Sequence, residues 1–431
     1  MLSLEVARTV DDELICVGAI KRAGRGMHES FAYHESYLER ADACPLSSSL
    51  PLSQREYLAY EIRPYFEGLL PEGPTREALV GQLGLPQDDY LAILEAIGLD
   101  CIGDVVIFPS EEFDILSSSM WDEGSYEPLD EGDMRNVLSD LSSLAWSNGQ
   151  SRLSLAGTQG KVGLAHIPDS PMEEGWLRPL GGAASTHILK TGNLPRIAEF
   201  EIICMQAARA CGVTVASLDT LSFGRPVACV ERFDRVISDG GNVLHVKRLH
   251  QEDLAQAFGV TSQAKYLELE NGTCRRIARL IENHSLDPLK DIDTFARVSV
   301  FNYLVGNCDN HLKNLSVIYE GSHMRLAPAY DIVCTTFFER FSREMGMRLG
   351  SSRFIDYVRP ADFELLAKDL GVGVRRMRRV CSDLVERLPD ALLEAGEAGS
   401  DVIETLPYSA EDVLNDAESR LGVVSAFARS A

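Results

Sequence analysis

The segment Asn307–Asn314, Asn-Cys-Asp-Asn-His-Leu-Lys-Asn, combines residue types that could support phosphoryl transfer. That chemistry needs a carboxylate to accept the proton of the acceptor hydroxyl and an oxygen ligand for the Mg²⁺ ion on the triphosphate. Asp309 and Asn314 lie five positions apart, which is the spacing that phosphotransferases use for these two groups. The usual His-Arg pair before the aspartate is replaced by Asn307-Cys308. The same residues also suit an ordinary polar turn, so this segment alone leaves both interpretations open.

Three charged residues elsewhere in the chain could complete such a site. Asp331 follows a predicted strand pair and could be a second magnesium ligand, since Mg²⁺ prefers carboxylates together with phosphate oxygens. Lys190 ends a short strand and could contact the phosphates while pairing with Glu201, or with Glu199, in the next helix. Lys313 could neutralise the transferring phosphoryl group. Taken singly, a strand-end aspartate or a surface lysine is the simpler interpretation.

A glycine-bearing turn at Ser154–Lys161, Ser-Leu-Ala-Gly-Thr-Gln-Gly-Lys, precedes all of these residues. Glycines allow backbone N–H groups to approach phosphate oxygens, although a plain β-turn would have the same composition. The order along the chain is more informative than any one motif: glycine loop, strand lysine, helix glutamate, Asp-x-x-x-x-Asn, second aspartate. A chance series of turns would rarely reproduce this order.

The elements that must position these residues follow from periodicity. A predicted amphipathic helix with Ile292, Phe295, Val298 and Val305 on one face leads into the Asp309 loop. Leu153–Ile167 is predicted to form two strands around the glycine-bearing turn, and a strand at Thr186–Lys190, a helix at Ala198–Cys211 and a hairpin follow. We therefore predict an α+β fold with the two lobes of a protein kinase, a small sheet-plus-helix lobe and a helical C-terminal lobe, and an extra mixed N-terminal domain. The predicted domains are 1–113, an acidic linker and helix at 114–150, the sheet lobe at 151–235 and the helical lobe at 236–431.

Composition excludes several classes of protein. The 431 residues include ten scattered cysteines without a Cys-x-x-Cys pair, which argues against zinc sites and disulfides and favours the cytoplasm. The sequence predicts neither a signal peptide nor a membrane span. A net charge of −24 opposes direct binding to nucleic acid. The basic segment Arg375–Arg379 is the exception, as a local patch or a solvated helix face.

Beyond these features the chain resembles the HipA family of Ser/Thr kinases, the toxins of HipA–HipB toxin–antitoxin pairs. The resemblance runs nearly end to end. Its motifs are Pro45–Leu52, Leu69–Gly73, Ile97–Gly103, Leu155–Lys161, Glu231–Arg235, His250–Gly259, Asp309–Asn314 and Leu326–Asp331.

The resemblance implies a role for each matching position, with ATP and Mg²⁺ as cofactors. Asp309 would be the catalytic base, Asn314 and Asp331 the metal ligands, and Glu201 the ion-pair partner of Lys190. Ser154 would be an inhibitory autophosphorylation site. The residues expected to bind ATP are Ala156, Gly157, Thr158, Gln159, Gly160, Lys161, Lys190, Glu231, Arg232, Phe233, His311 and Lys313.

The resemblance also implies partners. Members phosphorylate bacterial proteins, aminoacyl-tRNA synthetases among them, and are held by a small helix-turn-helix antitoxin, HipB, that binds operator DNA. Any contact of this chain with DNA would then be mostly indirect. Two alternatives remain open: a small-molecule phosphotransferase on the same scaffold, and a catalytically silent nucleotide-binding regulator that bridges an antitoxin and DNA.

Overall fold

A computed structural model describes residues 2–10, 13–24, 28–113, 126–139, 160–192, 194–239 and 244–430. The predicted autophosphorylation site Ser154 and the phosphate-loop residues Ala156, Gly157, Thr158 and Gln159 lie outside these ranges. The predicted α+β class is confirmed, because mixed sheets and helices make up the described chain. Within that part of the chain, no helix is long and apolar enough to cross a bilayer.

The N-terminal region forms an antiparallel sheet in the order β4-β3-β2-β1-β5, packed against helices. Alternation along the strands places one face inside, so that Leu4, Val6 and Phe31 are fully buried. Aromatic rings fill this core, and the ring centroids of Phe31 and Phe66 lie 5.6 Å apart. The elements are β1 (Leu2–Val10), β2 (Glu13–Arg22), β3 (Glu29–Tyr33), α1 (Glu35–Leu38), β4 (Glu56–Leu58), α2 (Ala59–Gly68), α3 (Gly73–Leu83), α4 (Tyr90–Ile97) and β5 (Val105–Pro109).

A second antiparallel sheet, in the order β10-β11-β9-β7-β8-β6, carries one long helix on its face. That helix, α6, is buried along most of its length and packs against the sheet and against the C-terminal helices. The elements are β6 (Tyr126–Pro128), α5 (Glu131–Ser139), β7 (Lys161–His166), β8 (Trp176–Pro179), β9 (His187–Lys190), α6 (Ile197–Ala210), β10 (Leu218–Ser222) and β11 (Pro226–Glu231).

The rest of the described chain is mainly helical, with three small sheets of two or three short strands each. These elements are β12 (Arg235–Asp239), β13 (Leu244–Arg248), β14 (Gln251–Asp253), α7 (Leu254–Ala257), α8 (Thr273–His284), α9 (Pro288–Val305), β15 (Ser316–Glu320), β16 (His323–Leu326), β17 (Glu344–Leu349), β18 (Ser352–Phe354), α10 (Pro360–Asp369), α11 (Val374–Ala398) and α12 (Leu406–Arg429). The β12–β13 and β17–β18 pairs were not predicted, because short strands that carry charged residues lack a clear apolar period.

Helix α9 delivers the chain to the Asp309 loop, and its ends are set by local sequence. Asp287 caps the N-terminus by accepting from the Lys290 amide, and Pro288 occupies the first helical position. Gly306 ends the helix with φ of +77°. A Cβ atom at Gly306 would lie 2.0 Å from Thr336 Oγ1, so a larger residue would displace the loop that follows.

The Pro45–Leu52 turn packs on the helical lobe, where it covers a buried carboxylate. Glu252 is fully buried, and its Oε1 accepts from the Ser48 amide at 2.9 Å and from the Tyr319 hydroxyl. Burial raises the pKa of Glu252 to about 7, although hydrogen bonds from Ser47 and Tyr319 oppose that rise. The N-terminal region therefore meets the helical lobe over a group that titrates near neutrality.

This geometry predicts a pH-dependent stability that a Glu252→Gln variant removes. Between an ordinary pKa near 4.5 and the folded value near 7, the folded protein holds a proton that the unfolded chain releases. Stability from this group is therefore complete below about pH 4.5 and is lost as the pH rises toward 7, by up to about 3 kcal/mol. Melting temperatures at pH 5 and pH 8 should differ less in Glu252→Gln than in the native chain or in the exposed control Glu111→Gln. Equal pH sensitivity in all three would contradict the prediction.

Candidate active site

A cavity of about 740 Å³ lies between the second sheet and the helical lobe. Its volume suits a nucleotide-sized ligand. Glu72 and Ile102 of the N-terminal region also reach its wall. The predicted site residues that line it are Lys161, Lys190, Glu231, Arg232, Phe233, Asp309, His311, Lys313, Asn314 and Asp331. Gly160 is buried directly before Lys161, and Glu201 lies buried behind Lys190.

Two lysines face the cavity from neighbouring strands. Lys161 and Lys190 are direct partners in the antiparallel β7–β9 ladder, so their side chains leave the same face of the sheet. Lys190 Nζ lies 2.5 Å from Glu201 Oε1 and also pairs with Asp331. Burial, together with the nearby charge of Lys190, lowers the pKa of Lys161 to about 7. A bound polyanion would relieve this repulsion, so the pair forms a suitable site for phosphates.

Glu199, the alternative partner for Lys190, is engaged elsewhere. Its Oε2 accepts from Ser409 Oγ at 2.5 Å, on the C-terminal helix α12. The C-terminal helix α12 thus contacts the helix that carries Glu201. One face of α6 contacts the C-terminal helix, and the Glu201 side chain is directed to Lys190.

Asp331 and Asp309 are connected through a residue whose importance the sequence did not reveal. Asn307 donates from Nδ2 to the backbone oxygen of Asp331 at 3.3 Å and to Asn302 Oδ1 at 2.7 Å. Its Oδ1 accepts from the Asp309 amide at 3.1 Å. Asp331 itself has φ of +53°, a left-handed conformation that aspartate and asparagine tolerate better than other residues with a Cβ. The available signal in the sequence was an asparagine placed next to the glycine that ends a predicted helix.

The Asp309 carboxylate is half exposed and faces the cavity. Asn314 Nδ2 donates to the backbone oxygen of Asp309 at 2.9 Å, which fixes the amide and leaves its Oδ1 as the atom able to bind a cation. The Tyr266 hydroxyl donates to Asp309 Oδ1 at 2.6 Å. Tyr266 was not among the predicted site residues, and it belongs to a segment 43 positions earlier in the chain.

His311 and Lys313 are buried on the same loop but differ in their surroundings. Burial lowers the pKa of His311 to about 4, so its imidazole is neutral at physiological pH. Lys313 Nζ lies 2.6 Å from Glu72 Oε1, while Lys265 Nζ lies 2.7 Å from Glu72 Oε2. Burial alone would raise the pKa of Glu72, but the two lysines lower it to about 2. The Leu69–Gly73 motif thus contributes a carboxylate that bridges the Asp309 loop and the Tyr266 segment.

Part of the cavity wall is apolar. The Phe233 ring stacks on Tyr330 with centroids 5.6 Å apart. Ile188 and Val230 line the cavity from the adjacent sheet. The Arg232 amide donates to the Thr186 oxygen at 2.9 Å, and the Arg232 side chain enters a buried ion-pair cluster. An aromatic and aliphatic wall of this kind suits a flat heterocycle.

The predicted metal ligands suit a Mg²⁺ ion that also binds phosphate oxygens better than they suit an ion held by protein ligands alone. Asp331 offers one carboxylate and Asn314 one amide oxygen at the same cavity. Among the residues that the structure describes, no group of three or more His, Cys, Asp or Glu side chains could hold a metal ion. Mg²⁺ usually binds through one or two carboxylates and substrate phosphates, which matches this donor set.

The basic segment Arg375–Arg379 lies on α11, away from this cavity. Three of its arginines, with Arg297 and Arg387, line a separate open cleft of about 940 Å³. Asp293 and Asp383 neutralise part of this charge, through Arg376 at 2.9 Å and Arg297 at 2.6 Å. Both interpretations of the segment stay open.

A small sheet lobe, a helical lobe and a cavity between them define a two-lobed, protein-kinase-like fold with an added N-terminal domain. Residues 153–392 match the HipA-like C-terminal domain, and residues 11–108 match the HipA N-terminal domain. The chain therefore belongs to the HipA family, as its motifs indicated.

Relatives of known sequence and structure agree with this assignment. The Y4mE protein of Sinorhizobium fredii is 35% identical over 378 residues, which cover 86% of this chain and 88% of that protein. The serine/threonine-protein kinase toxin HipA of Shewanella oneidensis is 29% identical over 401 residues, or 89% and 87% of the two chains. A chain of the solved complex of Shewanella oneidensis HipA, HipB and operator DNA superposes with a TM-score of 0.81, at 24% identity, and covers 99% of this chain and 100% of that one. This last similarity concerns the fold.

Proposed function

We propose that this protein is an ATP- and Mg²⁺-dependent Ser/Thr protein kinase of the HipA toxin type. The observation that carries the proposal is the convergence of Lys190, Asp309, Asn314 and Asp331 on one nucleotide-sized cavity. These are the groups that phosphoryl transfer by positioning and charge neutralisation requires.

Different residues of the chain would bind the adenine, the phosphates and the metal ion and accept the proton. The hinge segment Glu231–Phe233 receives the adenine, with the Phe233 ring packed on it, and Lys161 and Lys190 hold the phosphates. Asp331 and Asn314 would hold the magnesium ion, which supplies charge neutralisation on the phosphate oxygens when bound. Asp309 would accept the proton of the acceptor hydroxyl as its oxygen bonds to the γ-phosphorus of ATP, while the bond from that phosphorus to the β–γ bridging oxygen breaks and ADP leaves.

The finer features of the proposal come from the family. Ser154 would be the autophosphorylation site, and a phosphate there would place nearly two negative charges beside the phosphate-binding lysines. The partner would be a HipB-like antitoxin, because the similar Shewanella protein was solved with HipB and operator DNA. The substrate would be a bacterial protein, with an aminoacyl-tRNA synthetase as the first candidate. Operator DNA would be reached mainly through the antitoxin, in keeping with the net charge of −24.

Intact-mass spectrometry after incubation with ATP and Mg²⁺ tests the activity. We expect the native chain to gain one phosphate that maps to Ser154, and an Asp309→Ala variant to gain it about a hundredfold or more slowly, because the general base is removed. The matched control is Asp401→Ala, an exposed aspartate outside the cavity, which should behave as the native chain. A native chain that binds ATP yet transfers phosphate neither to itself nor to any added protein would contradict the kinase assignment and favour a silent regulator.

A further inference from the structure

The candidate catalytic base, Asp309, already accepts a hydrogen bond from a hydroxyl group of the protein. The Tyr266 hydroxyl donates to Asp309 Oδ1 at 2.6 Å, the distance expected for a hydroxyl bound to a carboxylate. Tyr266 and its neighbour Leu267 both line the cavity, and about half of each residue remains exposed. The phenol therefore lies where an acceptor hydroxyl arriving from solvent would have to bind.

The Tyr266 ring is held in this place by contacts that do not involve its hydroxyl. It packs edge-on against the His311 ring, with centroids 4.9 Å apart, and the Lys265 amino group lies 5.5 Å from its centroid. Lys265 is in turn paired with Glu72 at 2.7 Å. Burial and the Asp309 carboxylate raise the pKa of Tyr266, so the phenol remains a hydrogen-bond donor throughout the physiological range.

We infer that Tyr266 is a built-in occupant of the acceptor site, which a substrate serine or threonine must displace before phosphoryl transfer. This inference rests on the proposed kinase function and adds a regulation of the same site. The displaced contact is a hydrogen bond to a charged group, so the occupant weakens acceptor binding by about tenfold. Once the acceptor is bound, the phenol no longer competes, and turnover is unaffected.

The kinetic test is a Tyr266→Phe variant, which keeps the ring against His311 and Lys265 and removes the competing hydroxyl. The probe is a degenerate serine- and threonine-containing peptide library, assayed with saturating ATP and Mg²⁺. We expect KM for the library to fall about tenfold with kcat within twofold of the native value. The control Tyr60→Phe alters an exposed tyrosine outside the cavity and should change neither constant. An unchanged or higher KM, or a fall in kcat at constant KM, would overturn the inference, since the latter would make Tyr266 a positioning residue for Asp309.

A second measurement separates this inference from the kinase assignment. The ¹³Cζ resonance of Tyr266, identified by its loss in Tyr266→Phe, reports the hydrogen bond without turnover. It should move in Asp309→Ala and when the library is added with a non-hydrolysable ATP analogue. If the resonance moves neither in Asp309→Ala nor when the library is added, the inference is overturned even if the protein is an active kinase. Movement in both cases without any phosphate transfer supports an occupied acceptor site and overturns the kinase assignment instead.

Discussion

An Asp331→Asn variant should keep its fold and lose about a hundredfold or more of its phosphotransfer rate. Asp331 has φ of +53°, and asparagine adopts this left-handed conformation as readily as aspartate. The backbone contact with Asn307 Nδ2 is made by the main-chain oxygen and survives the substitution. The loss is therefore confined to the carboxylate charge, which the proposal assigns to the magnesium ion.

The measurement is the initial rate of phosphate transfer as a function of Mg²⁺ concentration. We expect the half-saturating Mg²⁺ concentration to rise together with the loss of rate, while the melting temperature changes little, because Lys190 keeps Glu201 as its ion-pair partner. Asp169→Asn is the matched control, since Asp169 is an exposed aspartate with φ of +61° outside the cavity. A variant that melts normally and still transfers phosphate at the native rate would remove Asp331 from the metal site.

The parts of the fold that could be predicted are those set by short-range patterns. The apolar face of α9, with Ile292, Phe295 and Val298, is buried as its spacing predicted. The caps at Asp287 and Gly306 are local too, and they fix where the Asp309 loop begins. Chain order then indicated which charged residues share a site, because strand, helix and loop follow one another in the sequence as they do around the cavity.

The parts that could not be predicted are contacts between distant segments. Glu72 reaches Lys313 across the boundary between the N-terminal region and the helical lobe. Tyr266 meets Asp309 through a segment without a recognisable period. Such pairs depend on how whole elements pack, and a single sequence contains no signal for that packing. The family-like motifs include Leu69–Gly73, which carries Glu72, and Ile97–Gly103. They did not indicate which residues these two segments contact.

The Ile97–Gly103 motif contributes Asp100 to a buried cluster of charges beside the cavity. Asp100 Oδ1 lies 3.0 Å from Arg235 and 3.1 Å from Arg248, and Asp234 lies 2.7 Å from Arg232. Every member is nine-tenths or more buried, and three arginines face two aspartates. Burial, together with repulsion from Arg232, lowers the pKa of Arg235 to about 10. The named members of the cluster thus include fewer acidic than basic side chains. The cluster joins the N-terminal region to the strand end at Arg232.

An Asp100→Asn variant should therefore lose about 3–5 kcal/mol of stability, because it removes one of the two carboxylates that face the three buried arginines. Urea denaturation measures the loss, and the control Asp42→Asn, which breaks the exposed pair with Arg40, should change the stability little. The sharper test adds Arg248→Met to Asp100→Asn. Once Arg248, one of the arginines that contact Asp100, is replaced, the double variant should be more stable than the sum of the single losses predicts. Additive losses would show that Asp100 does not stabilise the fold through the charge of Arg248.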